Sequence, residues 1–181
     1  MVRDIEEAIA TVEFYFPYLR ESGQYKVTSN KTNRYNCIAW AMRLTDRWVD
    51  TVQSAGHWWP NDKLDHSPQG LIHAFESLRF SMCTDNNREL LYDKVALYFN
   101  PYNNRWSHAA RIINETDYHS KLGEGWDIHH SAGEKHLFKK NDNNTYGFVY
   151  AIMKRPKIYR VVSYWLIIKM VFENIVNLIK Y

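Results

Sequence analysis

The sequence contains little glycine, proline or cysteine for a chain of 181 residues. Its seven glycines and five prolines are far fewer than collagen-like, low-complexity or disordered chains contain. The two cysteines, Cys37 and Cys83, are not arranged as a C-x-x-C pair and cannot form a disulfide framework. The sequence therefore predicts a folded protein of a reducing compartment.

Long apolar runs and runs of one charge are also missing. The 23 basic and 20 acidic residues give a net charge of +3 and are intermixed, unlike the basic patch of a dedicated nucleic-acid binder. The most apolar stretch, residues 161–172, is interrupted by Ser163 and Lys169 and is shorter than the roughly 20 residues that span a bilayer. Acidic residues near the N-terminus disfavour a secretory signal. We expect no nucleic-acid partner, no transmembrane segment, and a cytoplasmic protein or one secreted by a signal-peptide-independent route.

The residues that are present suffice for one hydrophobic core. Hydrophobic residues make up 45% of the chain, and their spacing predicts helices first and strands afterwards, which indicates an α+β fold. Helices are predicted at residues 4–16, from residue 37, at 68–80 and within 161–181, strands at 95–99, 106–113, near 118 and at 146–153, and loop mainly at 25–36 and 123–145. We divide the chain into a domain at residues 1–155 and a helical extension at 156–181. The wide apolar face of that extension is suited to packing on the domain or on a second copy.

A thiol at the predicted start of a helix is the sharpest chemical feature. Polar residues 25–36 precede the apolar run that begins at Cys37, and Asn33 or Asn36 can cap the helix there. A helix N-terminus and a neighbouring imidazolium both stabilise a thiolate, which is the reactive nucleophile. His108, on a later predicted strand, is the candidate for that imidazole.

Five short motifs follow one another between residues 33 and 155. They are NCIAWA at Asn36–Ala41, WWP at Trp58–Pro60, HAAR at His108–Arg111, SKLG at Ser120–Gly123 and IHH at Ile128–His130. In this order they resemble the motifs of an uncharacterised bacterial domain family that is similar to papain-like cysteine hydrolases, especially the NlpC-type cell-wall peptidases. The resemblance implies a papain-like or NlpC-like α+β fold, in which N-terminal helices, one of them carrying Cys37, pack on an antiparallel sheet and a C-terminal helix follows.

The resemblance also implies a mechanism and a class of substrate. Cys37 would attack an amide bond and His108 would act as general base, without a cofactor. The implied substrate is a peptidoglycan peptide or another peptide or protein. A role as a toxin or effector is compatible with this activity.

The residue that orients the imidazole is expected on the next strand, at Ser120. The length of the preceding turn determines whether Ser120 lies on the same face of the sheet as His108. An even-length turn at residues 114–117 puts His119 and Lys121 on the face of His108, whereas an odd-length turn puts Ser120 there. A serine accepts a hydrogen bond from an imidazole N–H, which a charged lysine cannot do, so Ser120 is the preferred candidate.

Other residues complete the set of candidates. Asn36 and the first-turn N–H groups are candidates for holding an oxyanion, and Trp58 and Trp59 form either a cleft wall for substrate or part of the core. A competing zinc site, for which the spacing is poor, would combine His108 with later side chains. These are Asp117, His119, Asp127, His129 and His130. The alternative function is a catalytically silent protein-binding domain, in which Cys37 is a packed thiol.

Overall fold

The structure is a computed structural model that describes residues 4–52, 56–132, 137 and 146–157. Within these residues the chain forms four short helices. They are α1 (Ile5–Tyr15), α2 (Pro17–Ser22), α3 (Cys37–Met42) and α4 (Pro68–Ser77). No helix in this part of the chain has the length and apolarity that crossing a bilayer requires.

Side-chain caps explain where α3 and α4 begin. The Asn36 side-chain oxygen accepts a hydrogen bond from the Ala39 backbone N–H at 3.0 Å, which stabilises the first turn of α3. Ser67 caps α4 in the same way, and Pro68 occupies its first position, where a missing N–H costs nothing. Asn36 is therefore the cap of α3, and the predicted start of a helix at residue 68 is confirmed.

The strands of the described residues form one large sheet and one small pair. They are β1 (Tyr25–Val27), β2 (Trp48–Val49), β3 (His57–Trp58), β4 (Ser81–Cys83), β5 (Tyr92–Asn100), β6 (Arg105–Ile112), β7 (Asp117–Lys121), β8 (Asp127–Ser131) and β9 (Phe148–Pro156). The large sheet has seven strands in the order β1-β8-β7-β6-β5-β9-β4, and every neighbouring pair is antiparallel. The short strands β2 and β3 pair in parallel.

The large sheet separates two apolar cores. Successive side chains of a strand point to opposite faces, so Ala109 packs with α3 and α4 while Ala110 packs with α1 and α2. The apolar side chains of α1 are only partly buried. Val12 is almost fully covered, but Ile5 and Ile9 are each 39% exposed.

The prediction of a papain-like or NlpC-like α+β fold is wrong. The described chain is mostly a seven-stranded antiparallel sheet with few short helices, which is not the papain-like arrangement of N-terminal helices packed on an antiparallel sheet. Three strands of the large sheet, and both strands of the small pair, were missed because their sequences lack the alternation of a half-buried strand. Strands β1 and β4 have three residues each, and β8 lies within the segment that the sequence predicts as loop.

The remaining secondary-structure predictions are largely confirmed. The predicted strands correspond to β5, β6, β7 and β9. Helix α4 ends at Ser77 instead of residue 80, and Arg79 follows with a left-handed φ of 67°, which an α-helix cannot contain. The predicted C-terminal helix lies outside the described residues, as does all of the extension beyond residue 157.

Substitution of Gly147 tests how closely the chain that enters β9 packs against the backbone of β5. Its φ is +74°, and a Cβ at this position would lie 1.8 Å from the carbonyl oxygen of Phe99. Gly23 has a similar φ of +62° but has open space around it. We expect Gly147→Ala to lower the free energy of unfolding by more than about 2 kcal/mol, and Gly23→Ala by only about 1 kcal/mol, the cost of a left-handed alanine.

Urea unfolding of the two variants and the natural chain measures this difference. The Gly23→Ala variant is the matched control, because it carries the same conformational penalty without the backbone clash. Equal losses in the two variants would show that β9 shifts freely to accommodate a methyl group.

Candidate functional site

The register of β6, β7 and β8 puts three polar side chains on one face of the sheet. Ala110 pairs with Ser120, and Tyr118 pairs with His130, so Ser120 and His130 share the face of His108. His108 Nε2 lies 3.0 Å from Ser120 Oγ, which in turn lies 2.8 Å from His130 Nε2. All three side chains are buried. The turn after β6 therefore has the odd length that brings the serine to the imidazole.

A backbone carbonyl sets the direction of this hydrogen-bond chain. His130 Nδ1 lies 2.8 Å from the carbonyl oxygen of Ser131, which can only accept, so Nδ1 carries the hydrogen. In a neutral ring His130 Nε2 then accepts from the Ser120 hydroxyl, and Ser120 Oγ accepts from His108 Nε2–H. A neutral His108 ring then carries its hydrogen on Nε2 and leaves Nδ1 unprotonated, which is the form in which an imidazole can accept a proton.

Two aromatic rings hold the His108 imidazole in place. Tyr146 stacks on it with a centroid distance of 4.2 Å and an interplanar angle of 12°, and Tyr98 meets it edge-on at 5.2 Å. Burial raises the pKa of both tyrosines, and the nearby charge of Cys37 raises that of Tyr146 further. The imidazole is thus fixed by two rings and by Ser120.

Cys37 reaches the sheet beside His108, but from the other side. Its side chain belongs to the core that contains Ala109, whereas His108 faces the opposite core with Tyr98. The Ala109 N–H donates a hydrogen bond to the Cys37 sulfur, and the influence of the thiolate charge reaches Tyr146, which stacks on His108. The structure thus places the sulfur next to the backbone that carries the imidazole, on the other face of the sheet.

Burial dominates the acidity of the Cys37 thiol. The residue is 8% exposed, and desolvation raises its pKa to about 11, although hydrogen bonds from Ala109 and Ile38 and the charge of Lys121 lower it in part. A thiolate at the start of a helix was expected to be stabilised. Here the cost of desolvating the charged form is larger, so the thiol is protonated at neutral pH.

Lys121 is a buried cation on the same side of the sheet as Cys37. Its ammonium donates to the carbonyl oxygens of Gly123 and Gly125, each at 2.7 Å, and lies 5.5 Å from the ring centroid of Tyr35. Burial lowers its pKa to about 8, against the attraction of Asp127 and of Cys37. At pH 7 the ammonium therefore remains mostly charged and is the cation that favours a Cys37 thiolate.

The residues predicted to bind substrate make contacts within the fold. Besides capping α3, Asn36 donates to the carbonyl oxygen of Val49 at 2.8 Å, so its amide ties α3 to β2. Trp59 is buried in the core, where it stacks on Trp106 at 5.7 Å. Trp58 is half-buried, with the Arg47 guanidinium over its ring. The oxyanion role of Asn36 and the cleft role of the tryptophans stay predictions.

The histidines of the zinc hypothesis fall on both faces of the sheet. His119 pairs with His129, and their rings are 4.3 Å apart, on the face opposite to His108 and His130. Burial lowers the pKa of His119 to about 3, with a further contribution from His129. The structure thus divides the four histidines of the proposed zinc site into two pairs on opposite faces of the sheet.

A different group of possible ligands occurs among the described residues. Cys83, Asp85 and Glu89 have ligand atoms within 4.8 Å of one another. The ammonium of Lys94 lies 2.9 Å from Asp85 and 2.7 Å from Glu89, and Lys154 also contacts Glu89 at 2.9 Å. Lysine ammonium groups already neutralise these carboxylates.

Sequence reasoning missed three residues that shape this site. His130 was considered as part of the IHH motif and as a possible metal ligand, Lys121 as part of the SKLG motif and as an unsuitable acceptor, and Tyr146 as part of a strand. His130 pairs with Tyr118, two residues before Ser120, so His130 and Ser120 lie on the same face of the sheet. This relation can be derived from the sequence only once β8 is recognised as a strand. No sequence pattern indicated the positions of Lys121 and Tyr146 around the candidate pair.

Comparison with protein families gives a match over most of the chain. The profile of a family described as a domain of unknown function, DUF7689, matches residues 26–154, which is more than half of the chain. The chain belongs to the DUF7689 family. No curated protein and no solved structure matches it. The matched range of the DUF7689 domain includes Cys37, His108, Ser120 and His130.

The thiol chemistry of this DUF7689 domain can be measured through Cys37 alkylation. In a Cys83→Ser background, we expect iodoacetamide to modify Cys37 at pH 7 about 300-fold more slowly than a free thiol of pKa about 8.5, because a pKa near 11 reduces the thiolate fraction by that factor. Lys121→Met removes the nearby positive charge and should slow alkylation by about a further tenfold.

The matched control is Lys26→Met, which removes an exposed lysine from β1. It should leave the rate unchanged. A Cys37 that is alkylated as fast as a free thiol would contradict the dominant effect of burial, and an unchanged rate in Lys121→Met would contradict the influence of that ammonium.

Proposed function

We propose that this domain is a cysteine hydrolase that cleaves an amide or thioester bond, with Cys37 as nucleophile and His108 as general base. The observation that carries the proposal is the hydrogen-bond chain from His108 through Ser120 and His130 to the carbonyl oxygen of Ser131. This chain leaves the basic nitrogen of His108 at Nδ1, away from its anchored side. Ser120 and His130 are positioning residues in this proposal.

The raised pKa of Cys37 determines the kind of mechanism. Since the thiol is protonated at neutral pH, the pair acts by general-base catalysis and not through a preformed thiolate. The separation of the two side chains by the backbone of β6 requires that Cys37 and His108 approach each other when substrate binds. The Ala109 N–H, next to His108 in sequence, already contacts the sulfur.

The proposed reaction has two balanced halves. His108 Nδ1 takes the thiol proton while the Cys37 sulfur bonds to the substrate carbonyl carbon. The bond to the leaving amine or thiol breaks, and His108 returns the proton to that group. Water then attacks the thioester, His108 takes a water proton, and the proton returns to the Cys37 sulfur as the acid product leaves. The substrate class is a peptide or protein, with peptidoglycan peptides as one member.

Acyl transfer from a simple activated donor tests this proposal. We expect 4-nitrophenyl acetate to acetylate Cys37, detected by mass spectrometry of the digested protein, and the acetyl group then to be hydrolysed. Cys37→Ala should abolish labelling at this position, and His108→Ala should slow both steps by about 10²- to 10⁴-fold. Ser120→Ala should slow them less and alter their pH profile, because the ring loses the acceptor that fixes its tautomer.

The exposed His73 on α4 supplies a control. His73→Ala should behave like the natural chain, because this side chain contacts Gln69 and takes no part in the site. Circular dichroism of each variant shows whether the fold is kept. A folded natural chain that never acetylates Cys37, or one whose acetylation does not depend on His108, would overturn the hydrolase.

A catalytically silent protein-binding domain is the second candidate. It is favoured by one observation, the burial of Cys37 in the core with its pKa raised to about 11, which is the environment of an inert packed thiol. In that case the acyl donor labels surface nucleophiles at the same rates with or without His108, and Cys37 stays unmodified. The acylation experiment therefore separates the two functions.

A further inference from the structure

Lys121 and Asp127 are two buried residues of opposite charge on the face of the sheet that carries α3. They are paired across β7 and β8, so their side chains lie on the same face. Lys121 is fully buried and Asp127 is 4% exposed. Charges buried this deeply are costly unless polar groups or an opposite charge compensate them.

The ring of Tyr35 lies close to both charges, which form no direct ion pair among the described residues. The Tyr35 hydroxyl donates to Asp127 Oδ2 at 3.2 Å, and the Lys121 ammonium lies 5.5 Å from the centroid of the same ring. Tyr35 also stacks on Trp40 of α3 at 5.6 Å and precedes Cys37 by two residues. The carboxylate, the phenol and the ammonium therefore form one cluster at the start of α3.

Three groups oppose the effect of burial on the Lys121 ammonium. Burial lowers its pKa to about 8, whereas Asp127, Cys37 and Glu124 raise it, and Asp127 contributes most. Cys37 is protonated at neutral pH and then has no charge to offer. Glu124 is exposed, so solvent screens its charge. Asp127 is thus the carboxylate that does most to keep a proton on Lys121 at neutral pH.

The Asp127 carboxylate is itself supported in its charged form. Burial raises its pKa, and the charge of Lys121 is the largest of the influences that lower it. Hydrogen bonds from Tyr35 and Ser29 and the charge of Arg111 act in the same direction as Lys121. The two buried charges therefore stabilise each other.

We propose that Asp127 is a positioning residue of the candidate site, which keeps the Lys121 ammonium charged so that this cation stabilises a Cys37 thiolate. Asp127 acts on the thiol through Lys121 rather than by contact. Its importance for catalysis rests on the proposed function, because a nearby cation lowers the cost of forming the thiolate as the thiol proton leaves. The effect itself is a property of the resting protein and is measured without turnover.

The titration of Lys121 is the first test. It is followed by NMR of ¹³C-labelled lysine side chains and assigned with Lys121→Arg, and the natural chain should titrate at about pH 8. Asp127→Asn keeps the shape of the side chain without its charge and should lower this midpoint by about one pH unit. Glu124→Gln is the matched control. It removes an exposed carboxylate that acts on the same ammonium and should lower the midpoint by less than about 0.3 pH unit.

The pH profile of Cys37 alkylation measures the consequence for the thiol. In a Cys83→Ser background the rate rises with pH as the thiolate fraction grows. The rise should flatten above about pH 8, because Lys121 loses its charge there and the rate loses about a factor of ten. Asp127→Asn should move this flattening down by about one pH unit, and Lys121→Met should abolish it. A merely structural role of Asp127 would not move this feature.

A reciprocal measurement keeps the test valid if Asp127→Asn does not fold. Because coupling between two sites is mutual, Lys121→Met should raise the midpoint of the Asp127 carboxylate by about one pH unit. This midpoint is read from the ¹³C resonance of the carboxyl carbon. Lys26→Met, which removes an exposed lysine of β1, should leave it unchanged.

The outcomes separate this inference from the hydrolase itself. Unchanged midpoints in Asp127→Asn and Lys121→Met, an equal effect of Glu124→Gln, or an alkylation profile of the natural chain without the flattening would each overturn it. The expected shifts in a protein that never acetylates Cys37 would support the role of Asp127 and overturn the hydrolase. Acetylation that depends on His108, together with a Lys121 midpoint that ignores Asp127, would do the reverse.

Discussion

The pairing of β6, β7 and β8 is the constraint on which the candidate site depends. Because side chains alternate along a strand, a shift of one residue between β6 and β7 would exchange Ser120 for Lys121 opposite the imidazole. The observed register gives His108 a neutral hydrogen-bond partner and keeps the lysine on the other face. It also places His130 at the far end of the same chain.

The same alternation separates the two proposed reactants. Cys37 meets the sheet on the face of α3, and His108 points toward α1. The sulfur is nevertheless in contact with the backbone one residue away from His108. The site thus has an oriented imidazole, a buried thiol and a buried cation at Lys121, and the backbone of β6 lies between the thiol and the imidazole.

The parts of the fold that could be predicted from the sequence are those that depend on a short stretch of chain. The caps at Asn36 and Ser67 and the strands β5 and β6 were predictable, because each depends on a short stretch of chain. Strand β8 was not, since its sequence does not alternate, and its assignment rests on pairing with β7 and β1. Without β8 the sheet was underestimated, and the papain-like fold that the motif resemblance implied was wrong.

The site, like the fold, could be predicted from the sequence only in part. Ser120 could be named as a hydrogen-bond partner from its chemistry, but only the register shows that it reaches His108. The helix terminus was expected to lower the pKa of Cys37, whereas burial raises it. A sequence reveals the favourable helix terminus but not the degree of desolvation. Lys121 and Tyr146 approach the site through long-range packing that no local pattern encodes.

The two outermost strands of the sheet, β1 and β4, have only three residues each. A strand at the border of a sheet exposes unpaired backbone groups that can recruit another chain, and short borders limit how many such hydrogen bonds can form. Strand β5, which is one of the two longest, is instead paired along nearly its whole length with both β6 and β9. The architecture thus protects its most extended backbone from intermolecular aggregation.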